Sequence, residues 1–410
     1  MTEGNTNMKR IKRISDLERK YVNEVLDGEF KSSHNYKMVT RLEKEFAERF
    51  NCKYAVAMTN GTATLHAALE AAGVGEGDEV IVPALTMSST NMCILQANAI
   101  PVFADIDPQT FTISIDSIQK VLTDRTKAII PVALYGLSPD IDSIMKLAEE
   151  HRITVIEDDA ECILGYYKGR LVGSTAHMSS FSFQSSKHMT AGEGGMVITN
   201  DPVLAVNLRR FSGLGYGSIG IEKGRISKDD IQSPTYERHV SLGWNYRPSD
   251  LCAAVTLGQL KRIDELVEMR TVAAKHFLAA INEFDWLVPQ YVPEGYKNSY
   301  WCLAVRLNTE WVAWPDFRKK FIELGGDGIY GAWMPGYLEP AYRNQNFLGR
   351  ENLLSKYGEY QYMPGLCPIT EKIQPQLLQF KTNYWDEADA IRQAEILWTT
   401  AQYFDDRRCR

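Results

Sequence analysis

The runs Tyr54-Ala-Val-Ala-Met58, Thr59-Asn-Gly-Thr62, Ala63-Thr-Leu-His-Ala-Ala-Leu69 and Glu79-Val-Ile-Val82 spell one strand–helix–strand unit. The first run is short and apolar, as a buried strand requires. Asn60-Gly61-Thr62 is a turn that opens a helix through Leu65, Ala68 and Leu69, and Gly73 stops it. Gly77-Asp78 then turns the chain into the second apolar strand. This alternation decides the fold class, because parallel neighbours need a crossover helix between them.

The pattern continues outward. A helix over residues 89–98 leads to the strand Pro101-Val-Phe-Ala104, and a short helix over 116–122 leads to Lys127-Ala-Ile-Ile-Pro-Val-Ala133. A helix over 140–152 leads to Ile153-Thr-Val-Ile156. Strands this continuously apolar are covered on both faces, so the expected class is α/β with a mostly parallel sheet. Two helices precede the unit, over 14–26 and 38–51, the second with Val39, Leu42, Phe46 and Phe50 on one face. After residue 157 come short strands over 162–167, 180–184 and 196–199 without long helices, some expected as antiparallel additions to the same sheet. From Pro248 the pattern changes: residues 249–282 are helical, with Leu260, Ile263, Leu266 and Val267 at helical spacing. A strand over 301–307 and helices over 314–324 and 385–404 read as a smaller α+β domain. The expected division is an N-terminal helical segment at 1–30, a large domain at 31–260 and a small C-terminal domain at 261–410.

Composition narrows the function. The 410 residues are 44% hydrophobic and 24% charged, with net charge −7, which excludes a disordered chain and disfavours a general nucleic-acid binder. The basic cluster Lys9, Arg10, Lys12 and Arg13 reads as a solvated helix start. No run is long and apolar enough for a membrane span and no signal-like run follows Met1, so a cytoplasmic protein is expected. The seven cysteines form no CxxC pair and the seven histidines no HxxxH pair; reduced thiols and no protein-bound metal are expected.

Three places carry chemistry. Asn60-Gly61-Thr62-Ala63-Thr64 puts free N–H groups and hydroxyls at a helix start, where an anion is favoured. Glu157-Asp158-Asp159-Ala160-Glu161 follows an apolar strand, and ligands of doubly wound sheets bind beyond the carboxyl ends of the strands. Ser179-Ser-Phe-Ser-Phe-Gln-Ser-Ser-Lys187 runs from a strand through a hydroxyl-rich turn to one lysine, and Gly192-Glu-Gly-Gly195 follows. Most lysines in such turns are solvated. A phosphate site, a carboxylate and a lysine beyond one sheet edge instead match pyridoxal phosphate: phosphate to the helix start, ring nitrogen to a carboxylate, aldehyde to the amine.

The sequence resembles the DegT/StrS family of sugar aminotransferases, fold-type I pyridoxal phosphate enzymes, over roughly residues 20–400. The resemblance rests on the stretches 60–69, 77–84, 101–107, Leu134-Tyr-Gly136, Ile156-Glu-Asp158, Ser182-Phe183 with Lys187 and Gly192–Gly195, and Gly243-Trp-Asn-Tyr-Arg247 with Ser249-Asp250. It implies a seven-stranded sheet and covalent attachment of the cofactor aldehyde to Lys187. It further implies Asp158 on the pyridinium nitrogen, and Gly61, Thr62, Ala63 and Ser182 around the phosphate. Asn245 would reach the phosphate across a homodimer interface, giving shared active sites. Met87 lies where an aromatic ring often stacks on the cofactor, Glu161 where a glutamine is common near the ring hydroxyl, and Ala133 where a histidine is common.

The implied reaction is ping-pong transamination from L-glutamate (or glutamine) to a ketosugar, through pyridoxamine phosphate. Cations for the donor carboxylate are sought in Arg247, Lys31 and His188, and acceptor contacts in Tyr330 and Trp333. Nucleotide-linked ketosugars are the family's usual acceptors. Ser185-Ser-Lys-His188, the 157–161 run and Lys381-Thr-Asn-Tyr384 are similar to members that aminate a free 3-deoxy-octulosonate-type sugar such as the 8-amino-3,8-dideoxy-manno-octulosonate aminotransferases. A cofactor-dependent dehydratase or epimerase, and a non-catalytic regulatory member, are the alternatives.

Overall fold

A computed structural model describes residues 8–31, 37–220, 226–358 and 360–408. The strands are β1 (Tyr54–Met58), β2 (Glu79–Pro83), β3 (Ile100–Ala104), β4 (Thr126–Ile129), β5 (Thr154–Asp158), β6 (Tyr166–Tyr167), β7 (Arg170–Leu171), β8 (Met178–Ser182) and β9 (Gly195–Thr199). Seven of them form one sheet in the order β1-β9-β8-β5-β4-β2-β3. Only β9 runs against the rest, pairing antiparallel with β1 and β8. The expected α/β class with a mostly parallel, seven-stranded sheet is what the chain adopts.

Both sheet faces are covered. Helices Gly61–Ala71, Ser88–Gln96 and Pro202–Ser212 bury one face over Val80, Val82, Ala128, Ile156 and Val197. Helix Ile141–His151 covers Ile81, Ile129 and Val155 on the other face, and helices Lys37–Arg49 and Asp250–Lys261 cover Ala55, Ala57, Phe181 and Ile198. Neighbouring residues of each strand therefore serve opposite cores, which is the reason the strands read as unbroken apolar runs.

Three expectations change. Residues 162–167 do not extend the main sheet: only Tyr166–Tyr167 is a strand, in a three-stranded sheet with β7 and β11 (Tyr296–Lys297). Cys162–Leu164 instead turn inward as core, with Leu164 at φ 57°. The strand read over 127–133 ends at Ile129, and Leu134–Gly136 form a single 3-10 turn. The long helical stretch after Pro248 is two helices, Asp250–Lys261 and Ile263–Ile281.

A second sheet lies beyond them, in the order β10-β12-β14-β13: β10 (Leu287–Pro289), β12 (Cys302–Leu307), β13 (Ile329–Gly331) and β14 (Leu377–Lys381). It packs with helices Ile263–Ile281, Trp314–Glu323 and Glu387–Arg408 around Phe277, Phe317, Phe321, Phe380 and Leu397. The segment between β13 and β14 returns to the large sheet, where Tyr337, Tyr342 and Cys367 pack with Ile94 and Phe103. The N-terminal helix Asp16–Asp27 starts on a Ser15–Glu18 capping box. Its buried Glu18 accepts from Gln259 Nε2 (2.6 Å) and Arg262 Nη1 (2.9 Å), which fixes it to helix Asp250–Lys261. No helix among the described residues is long and apolar enough to cross a membrane.

Candidate active site

The carboxyl ends of β1, β2, β5 and β8 converge, and each delivers one functional group. Beyond β1, Asn60 caps helix Gly61–Ala71 by accepting the Ala63 N–H (2.8 Å). A Cβ at Gly61 would lie 3.0 Å from the Ser182 Cβ, so glycine lets the helix start seat against the end of β8 without displacing Ser182. The helix N-terminus and the Ser182 hydroxyl are thereby adjacent, a cradle suited to an anion.

Asp158 ends β5 and is 4% exposed. Its Oδ2 accepts from Thr90 Oγ1 (2.8 Å), on the helix that follows β2, and its Oδ1 from the Ala160 N–H (3.1 Å). Burial raises its affinity for a proton, while these donors and the Lys187 charge oppose that rise. An acid so placed is poised to pair with a buried cation.

Lys187 leaves the turn after β8, and its side chain is 11% exposed. Its Nζ donates to Glu161 Oε1 at 3.2 Å and lies 4.5 Å from the centroid of the Trp301 ring. Glu161 Oε2 accepts the Tyr135 N–H (3.1 Å), because Tyr135 adopts φ 60° and turns that N–H inward. Burial pushes the Glu161 carboxyl up, and Lys187 pulls it back. The cation is what lets a carboxylate stand at this position.

The donor set fits pyridoxal phosphate. An anion cradle, a buried carboxylate and a half-screened primary amine are the complements of its phosphate, ring nitrogen and aldehyde. Met87, at the start of helix Ser88–Gln96, is 48% exposed and gives its sulfur to the Ser89 N–H (3.2 Å).

The remaining expected residues separate. Trp333 joins the site: it stacks on Trp301 (6.0 Å between ring centroids) and on Tyr135 (6.5 Å). Tyr330 stands on β13 and is 62% exposed. His188 is corrected as a source of positive charge. It is buried, its Nε2 meets the Ser299 carbonyl (2.9 Å), and burial with Arg270 nearby drives it well toward the neutral form. Lys31 is exposed and paired with Glu29 (2.5 Å). Arg247 is half-buried, next to Tyr246, whose carbonyl accepts the Thr59 N–H (2.9 Å). Asn245 is exposed on the same segment and bridges to Gly213.

Glu157 and Asp159 face away from Asp158, onto the other side of the sheet, where Asp159 Oδ2 lies close to Gly173. Both are fully buried, and among the described residues none of their four carboxyl oxygens has a hydrogen-bond partner of good geometry, the Gly173 backbone being the nearest donor to Glu157. Burial pushes Glu157 up to about 7. Asp159 is raised well above its ordinary range, by burial and by its acidic neighbours. The four-carboxylate run therefore splits: Asp158 and Glu161 on the site side, Glu157 and Asp159 in the core behind it.

Thr90, Trp301, Arg13 and Arg270 were not legible as site residues. Arg270 carried a usable signal, since it occupies the same apolar helix face as Ile263, Leu266, Val267 and Phe277.

Comparison with known proteins agrees with this geometry. The DegT/DnrJ/EryC1/StrS aminotransferase family matches residues 12–353. A GDP-perosamine synthase of Vibrio cholerae is 31% identical over 357 residues, covering 85% of this chain and 92% of that protein. One from Caulobacter vibrioides is 40% identical over 296 residues, covering 72% of this chain and 76% of that protein. The crystal structure of an aminotransferase from Psychrobacter cryohalolentis superposes with a TM-score of 0.81 at 30% identity, over 95% of this chain and 97% of that one. With its lysine, carboxylate and anion cradle at one sheet edge, the chain belongs to the DegT/DnrJ/EryC1/StrS aminotransferase family and uses pyridoxal phosphate.

Proposed function

We propose that this protein transfers an amino group from L-glutamate, or glutamine, to the keto group of a nucleotide-linked sugar, in the cytoplasm and as a homodimer with shared active sites. The observation that carries the reading is the Lys187 amine, 11% exposed and held by Glu161 at 3.2 Å beside the buried Asp158. Relatives named GDP-perosamine synthase support the sugar as acceptor.

Pyridoxal phosphate, when bound, supplies the aldehyde that carries nitrogen and a ring that accepts electrons from the substrate carbon. Gly61, Thr62 and Ser182 would hold its phosphate, with Ala63 contributing through the helix dipole because its N–H is given to Asn60. Asp158 would pair with the ring nitrogen, and Glu161 would stand near the ring hydroxyl. Lys187 Nζ takes the proton from the donor α-carbon and returns one to the carbon that receives nitrogen. In the second half of the cycle Nζ moves the proton the opposite way, onto the sugar carbon. Trp301 and Trp333 exclude water from one side of Nζ. Asn245 would reach the partner's phosphate; its exposure, with Leu242 at 77% and Trp244 at 47% on the same segment, supports a covered surface there.

The test is a screen of the amine-loaded enzyme against ketosugars, following the return of the lysine-bound cofactor's visible band. Amine appearing in a nucleotide-linked sugar supports the proposal. Amine appearing only in a free 3-deoxy-octulosonate-type acid moves the acceptor to that class. Sugar consumed with no amine formed identifies a dehydratase or epimerase. A protein that takes up no cofactor is a regulatory member.

A further inference from the structure

Arg270 is fully buried, yet every acceptor it meets among the described residues is neutral. Its Nη2 donates to the carbonyls of Ser186 (2.7 Å) and Lys187 (3.0 Å). Its Nη1 donates to the Trp301 carbonyl (2.7 Å) and Thr382 Oγ1 (3.3 Å). Burying a guanidinium without a carboxylate is costly, and burial drives its pKa down to about 9. A leucine would fill the same helix face at lower cost, so packing does not account for the charge.

The carbonyls it collects do. They belong to the turn that presents Lys187 and to the residue whose ring lies under Nζ. The Trp301 Nε1–H donates to the Ser186 carbonyl as well (3.2 Å), and Arg13 donates to the Ser185 carbonyl. Three consecutive carbonyls of a turn therefore point at donors from helix Ile263–Ile281, from β12's start and from the N-terminal arm. The planar fork of an arginine matches two carbonyls per nitrogen pair, which a lysine cannot reproduce.

We propose that Arg270 is a positioning residue for catalysis: its guanidinium clamps the Ser186 and Lys187 carbonyls to Trp301 and so fixes the amine between Glu161 and the indole. It acts through Lys187 and touches no reacting atom. The proposal rests on Lys187 being the cofactor-binding lysine and not on which sugar is accepted.

The experiment compares Arg270→Lys, Arg270→Ala and Arg270→Met holoenzymes with the parent. The first readout is the pH titration of the lysine-bound cofactor's visible band, which needs no sugar. The second is the half-reaction with L-glutamate, separated into kcat and KM. Arg270→Lys keeps the charge and loses the fork; kcat is expected to fall about tenfold to a hundredfold with KM nearly unchanged. Arg270→Met is expected to shift the titration midpoint upward, because the positive charge held against the turn that carries the amine is gone. Added guanidinium is expected to restore the Arg270→Ala rate and not that of Arg270→Met, whose side chain fills the space. Should Arg270→Met not fold, Trp301→Phe removes the Nε1–H to Ser186, keeps a ring under Nζ, and is expected to lower kcat in the same direction. A normal midpoint and normal kcat in the folded variants would overturn the proposal. So would a rate loss that tracks melting temperature alone with no guanidinium rescue. Loss of glutamate turnover with an intact titration response in every protein, the parent included, would instead point to a wrong donor.

Discussion

Lys187 Nζ and Glu161 Oε1 lie 3.2 Å apart, and both side chains are nearly sealed from solvent. The pair gives the amine a fixed direction and makes an ionised acid tolerable beside a cofactor. Lys187→Ala is expected to lose activity by at least about a thousandfold, since it removes the group proposed to move the proton. Mass measurement after borohydride reduction should show the cofactor adduct in the parent and none in the variant. An adduct retained in Lys187→Ala would assign the covalent role to another lysine.

Thr90 holds Asp158 Oδ2 at 2.8 Å. Thr90→Val keeps the shape and deletes that donor, so the Asp158 carboxylate is less well stabilised and its proton affinity rises further. The glutamate half-reaction is expected to slow by about tenfold, the equivalent of one lost hydrogen bond to a charged group. Stopped-flow absorbance measures it; an unchanged rate would mean that Asp158 is held adequately by the Ala160 N–H alone.

Glu157 is pushed up to about 7 from an ordinary value of 4.5, chiefly by burial. Its proton therefore stabilises the fold in full below about pH 4.5, and that contribution is lost as pH rises through about 7. Glu157→Gln stays neutral throughout, so the stability difference between variant and parent should grow in the variant's favour by about 2–3 kcal/mol from pH 5 to pH 8. Urea titrations across that range check it. Parallel curves for the two proteins would show that Glu157 is ionised in the fold at all these pH values.

Asn245 offers a test of subunit sharing. Asn245→Ala homodimers are expected to release cofactor more readily than the parent. Lys187→Ala homodimers are expected to be inactive. Mixed dimers of the two should regain turnover, because one of their two sites has an intact lysine and receives an intact asparagine from the other subunit. No gain on mixing would place Asn245 in the site of its own subunit.

Much of this was readable before any coordinates. Strand–helix alternation over 54–158 gave the sheet because each strand is buried on both faces and each crossover carries its own stop signal. The positions of Asp158 and Lys187 beyond the sheet edge were readable because both come at or after the ends of such strands. The rest depends on long-range contacts. Arg270 and Trp301 reach Lys187 from about a hundred residues away in sequence, through backbone carbonyls that bear no mark of residue type. His188 shows the opposite failure. A histidine beside the key lysine looks available until the fold spends it on the Ser299 carbonyl. The acidic run is a third case. Its composition shows four like charges, and only the fold shows that they divide into two pairs, Asp158 with Glu161 and Glu157 with Asp159.

Arg13 reaches the Ser185 carbonyl from the arm that precedes helix Asp16–Asp27, and its guanidinium lies 5.5 Å from the Trp385 ring centroid. Residues 8–15 look like a leader that a protein chemist would trim to improve crystals or free for a tag. Such trimming would remove the Arg13 contact to the Ser185 carbonyl and is expected to loosen the turn that carries Lys187. Protease nicking in that arm should then register as lost turnover well before it registers as lost fold.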